Sequence, residues 1–211
     1  MFDRINFYQE RLFPWFFSVQ KYVWFEKDLS IKEKSVQAKI PVDIRYYSIQ
    51  EREEKDWGEK EVLQLRGRPG LEQFEKRWKR GDVLGAAYQN GQLTSFVWIK
   101  KHPESYRRNE GNWAHTYDGW TFERYRGNWL LPVLQQALFD YCRTEWKGIT
   151  HIDTFVLTRN IPSLKGDSRA GYIPKSIFLQ LRIIGQTFKF RLNDRLPQVL
   201  LQPNTYIHNS S

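Results

Sequence analysis

Two stretches in the second half of the chain carry residues whose types and spacing could do chemistry. Arg124-Tyr125-Arg126-Gly127-Asn128-Trp129-Leu130-Leu131-Pro132 opens an amphipathic helix, and Asn160 follows later, with Ser163 three positions on and Gly171-Tyr172 at eleven and twelve. A glycine at a helix start lets backbone N–H groups approach an anionic oxygen, and the positive end of the helix favours the charge. Proton transfer has its own candidates. Asp118, on the strand before the loop, is the first choice for a base, with Glu123 and His115 behind it; Asp167 is a further carboxyl, seven positions after Asn160. Each has a plainer reading. The loop is equally a generic helix start with an arginine or two, Asn160 a helix N-cap, and Gly171 an ordinary C-terminal glycine. Asp118 is equally a structural hydrogen-bond acceptor, and Asp167 an exposed carboxylate on a helix surface.

The elements around these residues follow from periodicity. Val42–Ile49 has the β-branched and aromatic content of a strand after Pro41, and an acidic helix is expected over roughly Gln50–Glu61. Arg66–Gly70 reads as a break before a helix with Leu71, Phe74 and Trp78 on one face and Gly81 ending it. Asn90-Gly91 between two apolar runs is a hairpin signal, and a further strand runs to Phe122. A helix over 128–146, a strand over Ile149–Leu157, a helix over Leu164–Ala170 and a second hairpin around Gly185-Gln186 complete the order. Strict alternation puts His115, Tyr117, Gly119 and Thr121 on one face of their strand and Asp118, Trp120 and Phe122 on the other, so only a bulge lets both bases face one cleft. A meander followed by a parallel crossover is α+β or α/β, with a mixed, mostly antiparallel sheet flanked by helices.

Length and composition set the outer bounds. The 211 residues suffice for one good core with an embellishment: an N-terminal extension over 1–40 packing on the domain, the domain over 41–192, and a tail over 193–211. In the extension Phe2, Ile5, Tyr8, Leu12 and Phe16 recur near helical spacing, and Tyr22–Leu29 reads as a strand. A net charge of +9 attracts anions, among them phosphorylated small molecules and acidic carrier proteins, or simply keeps the chain soluble. The basic residues alternate with acids, which speaks against a nucleic-acid tail. The single cysteine, Cys142, excludes an internal disulfide and suits a reducing, cytoplasmic setting; its helical position marks it as a buried, inert thiol. The four histidines lack metal-ligand spacing, so no metal is expected.

Taken together, Tyr125-Arg126-Gly127, the helix it opens, and the Asn160, Ser163, Gly171, Tyr172 series resemble the cofactor-binding half of the GNAT superfamily of acyl-CoA-dependent N-acyltransferases. One proline, Pro132, also resembles members from bacterial polysaccharide gene clusters. The resemblance covers about Val42 to Leu192 and implies a GNAT-like sheet. By it, Thr121 and Phe122 polarise the thioester carbonyl. Arg124, Arg126, Gly127, Asn128 and Trp129 hold the CoA pyrophosphate, and Asn160 and Ser163 line the pantetheine arm. Trp129 and Leu131 stand where the family has small residues, so their side chains must point away from the phosphates. Asp167 stands where the family often has a Tyr that protonates the departing thiolate.

The implied activity is transfer of an acyl group, acetyl first, from acyl-CoA to a primary amine by direct attack in a ternary complex. The amine expected is that of an amino sugar or a sugar nucleotide, and Asp118, Glu123 and Asp167 are the catalytic candidates. Two alternatives stay open: an acyl carrier protein as donor, and a degenerate GNAT domain that binds without catalysing. Oligomeric state has no sequence signal.

Overall fold

The structure, a computed structural model, describes residues 17–51, 56–101, 112–183 and 186–192. The chain divides into two compact units. One comprises Glu26–Thr154 and Arg169–Tyr172; the other comprises the described parts of Met1–Phe25, Phe155–Ser168 and Ile173–Ser211.

The larger unit is a sheet with a helix on each face. Strands β2 (Asp43–Tyr47), β3 (Val83–Gln89), β4 (Gln92–Lys101) and β5 (Trp113–Thr121) form an antiparallel meander, and β6 (His151–Leu157) joins β5 in parallel. The expected turn connects β3 to β4: Asn90 and Gly91 both take positive φ, 51° and 77°, as a tight hairpin of this hand requires. The parallel step needs a crossover, supplied by α2 (Leu130–Glu145). α2 buries Leu130, Leu134, Leu138 and Phe139 with Cys142. Burial pushes the Cys142 thiol up to about 12, so it is inert at neutral pH.

The opposite face carries α1 (Glu59–Lys79) over an aromatic core of Tyr47, Trp57, Phe74, Trp78, Tyr88, Phe96 and Trp98. These rings meet mostly edge to face: Trp78 on Trp98 at 5.1 Å, Phe74 on Trp98 at 4.9 Å. The Trp78 indole N–H donates to the Tyr47 carbonyl at 2.9 Å, so the largest core ring also satisfies a backbone acceptor. Here two expectations change. The helix starts at Glu59 rather than Gln50 among the described residues, and Arg66–Gly70 kinks it instead of breaking it. Gly67 takes φ 66° and ψ −171°, which absorbs Pro69 inside the helix.

In the smaller unit β7 (Ile173–Ile183) and β8 (Gln186–Leu192) pair antiparallel as the second hairpin requires. Residues 184 and 185 lie outside the described set, as do 1–16, with the helical spacing expected there, and 193–211, the expected tail. Phe17–Asp28, from the segment expected to pack on the domain, forms β1, which is divided between the two units after Phe25. Helix α3 (Ile161–Ala170) begins at Asn160, whose Oδ1 accepts the Ser163 N–H at 3.3 Å, and ends at Gly171 with φ 107°. Among the described residues no helix is long and apolar enough to cross a membrane.

Trp78 is fully buried and hydrogen-bonded. Trp78→Ala is therefore expected to destabilise the protein by about 3–5 kcal/mol, read from the shift of the urea midpoint at unchanged slope.

Candidate functional site

β5 carries one residue too many for its partner. Phe96 pairs with Trp120 and Trp98 with Tyr117, so Val97 of β4 faces both Asp118 and Gly119. Asp118 absorbs the extra length with φ 51°, a conformation that Asp tolerates better than most residues. The bulge changes the alternation. Asp118 points to the α1 face, as do Tyr117, Trp120 and Phe122, while Gly119 faces Leu131 of α2. The strict alternation read from the sequence, which separates His115 from Asp118, is thereby corrected: both lie on the α1 side.

Asp118 does not stand alone there. Arg66, at the α1 kink, donates through Nη1 and Nη2 to its two carboxylate oxygens at 2.7 and 2.8 Å, and Arg77 Nη1 donates to Oδ2 as well. The kink is built for this approach: a Cβ on Gly70 would sit 2.3 Å from the Arg66 Cβ. Burial would raise the Asp118 carboxyl, but the Arg66 hydrogen bonds and the Arg77 charge outweigh it and hold it below the usual carboxylate range. A carboxylate so stabilised is ionised but weakly basic. That disfavours Asp118 as the first-choice base.

His115 is better set. Its Nδ1 lies 2.7 Å from Oδ1 of buried Asp153, at the last register where β5 and β6 pair. The contact with the Asp153 carboxylate fixes the orientation of the imidazole. The imidazole stacks on Tyr117, planes 6° apart and centroids 5.8 Å apart. Tyr117 in turn donates its hydroxyl to Asp82 at 2.5 Å, and Arg80 also donates to Asp82 at 2.7 Å. Burial and the Asp82 carboxylate both push the Tyr117 phenol far above its usual value, so it keeps its proton. Glu123, the other sequence candidate, is 91% exposed at its side chain, within a 3-10 turn at Glu123–Tyr125.

Beyond His115↔Asp153, β5 runs on to Thr121 with no register to β6. The chain then turns into α2. Gly127 takes φ 82°, with open space where a side chain would stand. Asn128 anchors the turn by donating to the Tyr125 carbonyl at 3.1 Å. Arg126 lies over the Trp120 ring at 5.5 Å, and Arg124 donates to Gln92. The amides of Leu130 and Leu131 open the helix without intrahelical acceptors, and Pro132, third in the helix, has no N–H to satisfy. This is a fitting place for a phosphate.

Both bulky residues of the loop turn aside. Trp129, in the left-handed region at φ 60°, is held between Lys39 at 4.9 Å and Arg169 at 4.3 Å. Leu131 packs onto Gly119, where a Cβ would meet its Cδ1 at 2.9 Å. One expectation shifts: the Phe122 amide donates to Thr94 O at 3.0 Å, which leaves it no hydrogen for a thioester carbonyl. Thr121 bonds Ser95 through its hydroxyl at 3.0 Å.

Asn160, Ser163 and Asp167 belong to the smaller unit. Asn160 caps α3 as its plainer reading holds, while Asp167 is buried at 3% exposure, correcting the exposed carboxylate expected there. Tyr172, of the larger unit, is buried and shares a hydrogen bond with Thr116. Among the described residues no group of His, Cys, Asp and Glu is placed to hold a metal ion. The arginine pair has no mark in the sequence, where Arg66-Gly67-Arg68-Pro69-Gly70 reads as a terminator.

No protein-family model matches the sequence, and no curated protein matches it. Solved structures do. A tandem GNAT protein from the clavulanic acid biosynthesis pathway superposes with a TM-score of 0.58 at 14% identity, covering 80% of this chain and 55% of that one. A GNAT-family acetyltransferase from Colwellia psychrerythraea gives 0.51 at 13% identity, covering 82% and 57%. A functionally unknown conserved protein from Staphylococcus epidermidis gives 0.50 at 11%, covering 85% and 66%. The chain thus spans between about half and two thirds of the length of these structures. Its fold is that of the GNAT acetyltransferases.

Because the Asp118 carboxyl sits below its ordinary value, its ionisation stabilises the fold above that value and the contribution is lost as pH falls through the folded one. Asp118→Asn is accordingly expected to be less stable than wild type at neutral pH, with the gap constant above about pH 5 and closing below about pH 4. Urea midpoints taken across that range check it.

Proposed function

We propose that the chain is an N-acyltransferase that moves an acyl group, acetyl first, from acyl-CoA to a primary amine. The observation that carries the reading is the start of α2. Its leading amides, Gly127 at φ 82° and Arg126 form an anion cradle, from which Trp129 and Leu131 have been withdrawn by Lys39, Arg169 and Gly119. The fold adds support, since GNAT acetyltransferases share it.

Bound there, the donor supplies a thioester. The amine nitrogen attacks the carbonyl carbon, the C–S bond breaks, and the thiolate leaves with the bonding pair and is protonated by solvent. The amine must give up a proton. His115, oriented by Asp153, takes it, in preference to arginine-bound Asp118 or exposed Glu123. An amino sugar or sugar nucleotide fits as acceptor, and the lone buried Cys142 fits a cytoplasmic protein.

Calorimetry with acetyl-CoA tests the cradle. Micromolar binding is expected, weakened at least about tenfold by Arg126→Glu, since reversing a phosphate partner turns attraction into repulsion. Arg126 is half exposed and pairs with Glu123 only at 3.8 Å, so the substitution spares the fold. No binding by the folded protein would overturn the CoA reading and move an acidic carrier protein forward as donor, in keeping with the net charge of +9. For the base, His115→Gln is expected to lower kcat by about 10²–10⁴-fold in an amine-acceptor screen, with KM little changed.

A further inference from the structure

We infer that Arg66 and Arg77 form an anion-binding subsite, so that the molecule bearing the acceptor amine also carries a carboxylate or phosphate. The inference rests on the transferase reading for the word acceptor, but on its own geometry for the anion.

Two guanidiniums share one carboxylate. Arg66, Arg77 and Asp118 have side chains 21%, 14% and 24% exposed, and Asp118 is the ion-pair partner of both arginines among the described residues. The trio therefore carries one net positive charge, largely out of water. The neighbouring pair, Arg80 with Asp82, is balanced and does not offset it. An isolated charge of this kind is costly unless something answers it.

The surroundings answer only in part. Arg66 lies over Phe96 at 5.2 Å and Trp120 at 6.0 Å; Arg77 lies over Tyr117 at 5.0 Å and Trp98 at 5.3 Å. Ring faces attract cations without accepting the remaining N–H bonds. The donor excess runs further, because the indole Nε1 atoms of Trp98 and Trp120 are buried with no acceptor among the described residues. Arg77 spends one terminal nitrogen on Asp118, leaving its other N–H groups to a second acceptor. Lysine in either place would give a point charge; the planar fork suits a carboxylate or phosphate, which accepts two bonds at once.

Asp118 is then the internal competitor that holds the fork in shape. Since Asn also tolerates the left-handed region, Asp118→Asn keeps the bulge while removing the competing charge.

Three matched amines probe the subsite by calorimetry: O-phosphoethanolamine, β-alanine and ethanolamine. At least one of the two anionic amines is expected to bind at least tenfold more tightly than ethanolamine, and which one does separates phosphate from carboxylate. Arg77→Met and Arg66→Met, verified as folded by circular dichroism, are expected to erase that preference, exposed Lys79→Gln to leave it unchanged, and Asp118→Asn to increase anion affinity severalfold. A role confined to holding the fold predicts no anion preference in wild type and no gain in Asp118→Asn; either result overturns the subsite. Acetyl-CoA binding, measured on the same samples, keeps the two claims apart. Acetyl-CoA bound without anion preference removes the subsite and leaves the transferase reading standing, while anion preference without acetyl-CoA binding does the reverse.

Discussion

Val97 of β4 faces two residues of β5, and the bulge this makes turns Asp118 and Gly119 to opposite faces of the sheet. On one side Asp118 reaches Arg66 and Arg77, which ties the kinked helix α1 to the strand beneath it. On the other side Gly119 leaves room for Leu131 and so for the close approach of α2. Both helices are thus placed by one irregularity in one strand. Straightening β5 with Asp118 retained would flip every side chain after Tyr117, sending Trp120 and Phe122 out of the aromatic layer, whereas deleting Asp118 would leave Trp120 opposite Phe96 and remove only the carboxylate.

The polar row on the α1 face follows from that placement. His115 with Asp153, Tyr117 with Asp82, and Asp118 with its arginines succeed one another along β5, joined by stacking as well as by hydrogen bonds. Their protonation behaviour differs because their partners differ. Burial and a neighbouring carboxylate make Tyr117 keep its proton, and neighbouring guanidiniums overcome burial to make Asp118 shed its own. A single strand face therefore holds a proton-keeping phenol, a weakly basic carboxylate and a histidine held by a buried carboxylate.

What the sequence discloses depends on how local the cause is. Asn90-Gly91 names its turn because two successive positive φ angles exclude most other residues, and Asn160 names a helix start because its side chain bonds an amide three residues away. The arginine clamp has no such local mark: Arg66 and Asp118 are far apart in the chain, and Arg66-Gly67-Arg68-Pro69-Gly70 looks like a terminator until the partner across the sheet is known. The bulge is hidden for the same reason, since one residue too many in β5 is defined only by its pairing with β4. Asp167 shows the limit from the other side. A carboxyl in a short helix reads as solvated, and only packing reveals that it is buried.

The contact between Leu131 and Gly119 has a consequence for how such proteins are recognised. Where the resemblance puts a small residue at the helix start, this chain has a leucine, and Gly119 on the strand leaves room for it. The quantity that the architecture constrains is the thickness of a seam, shared by two segments, and either side can supply the thin half. A pattern written along one segment records a mismatch; a pattern written across the pair records a trade that leaves the spacing intact.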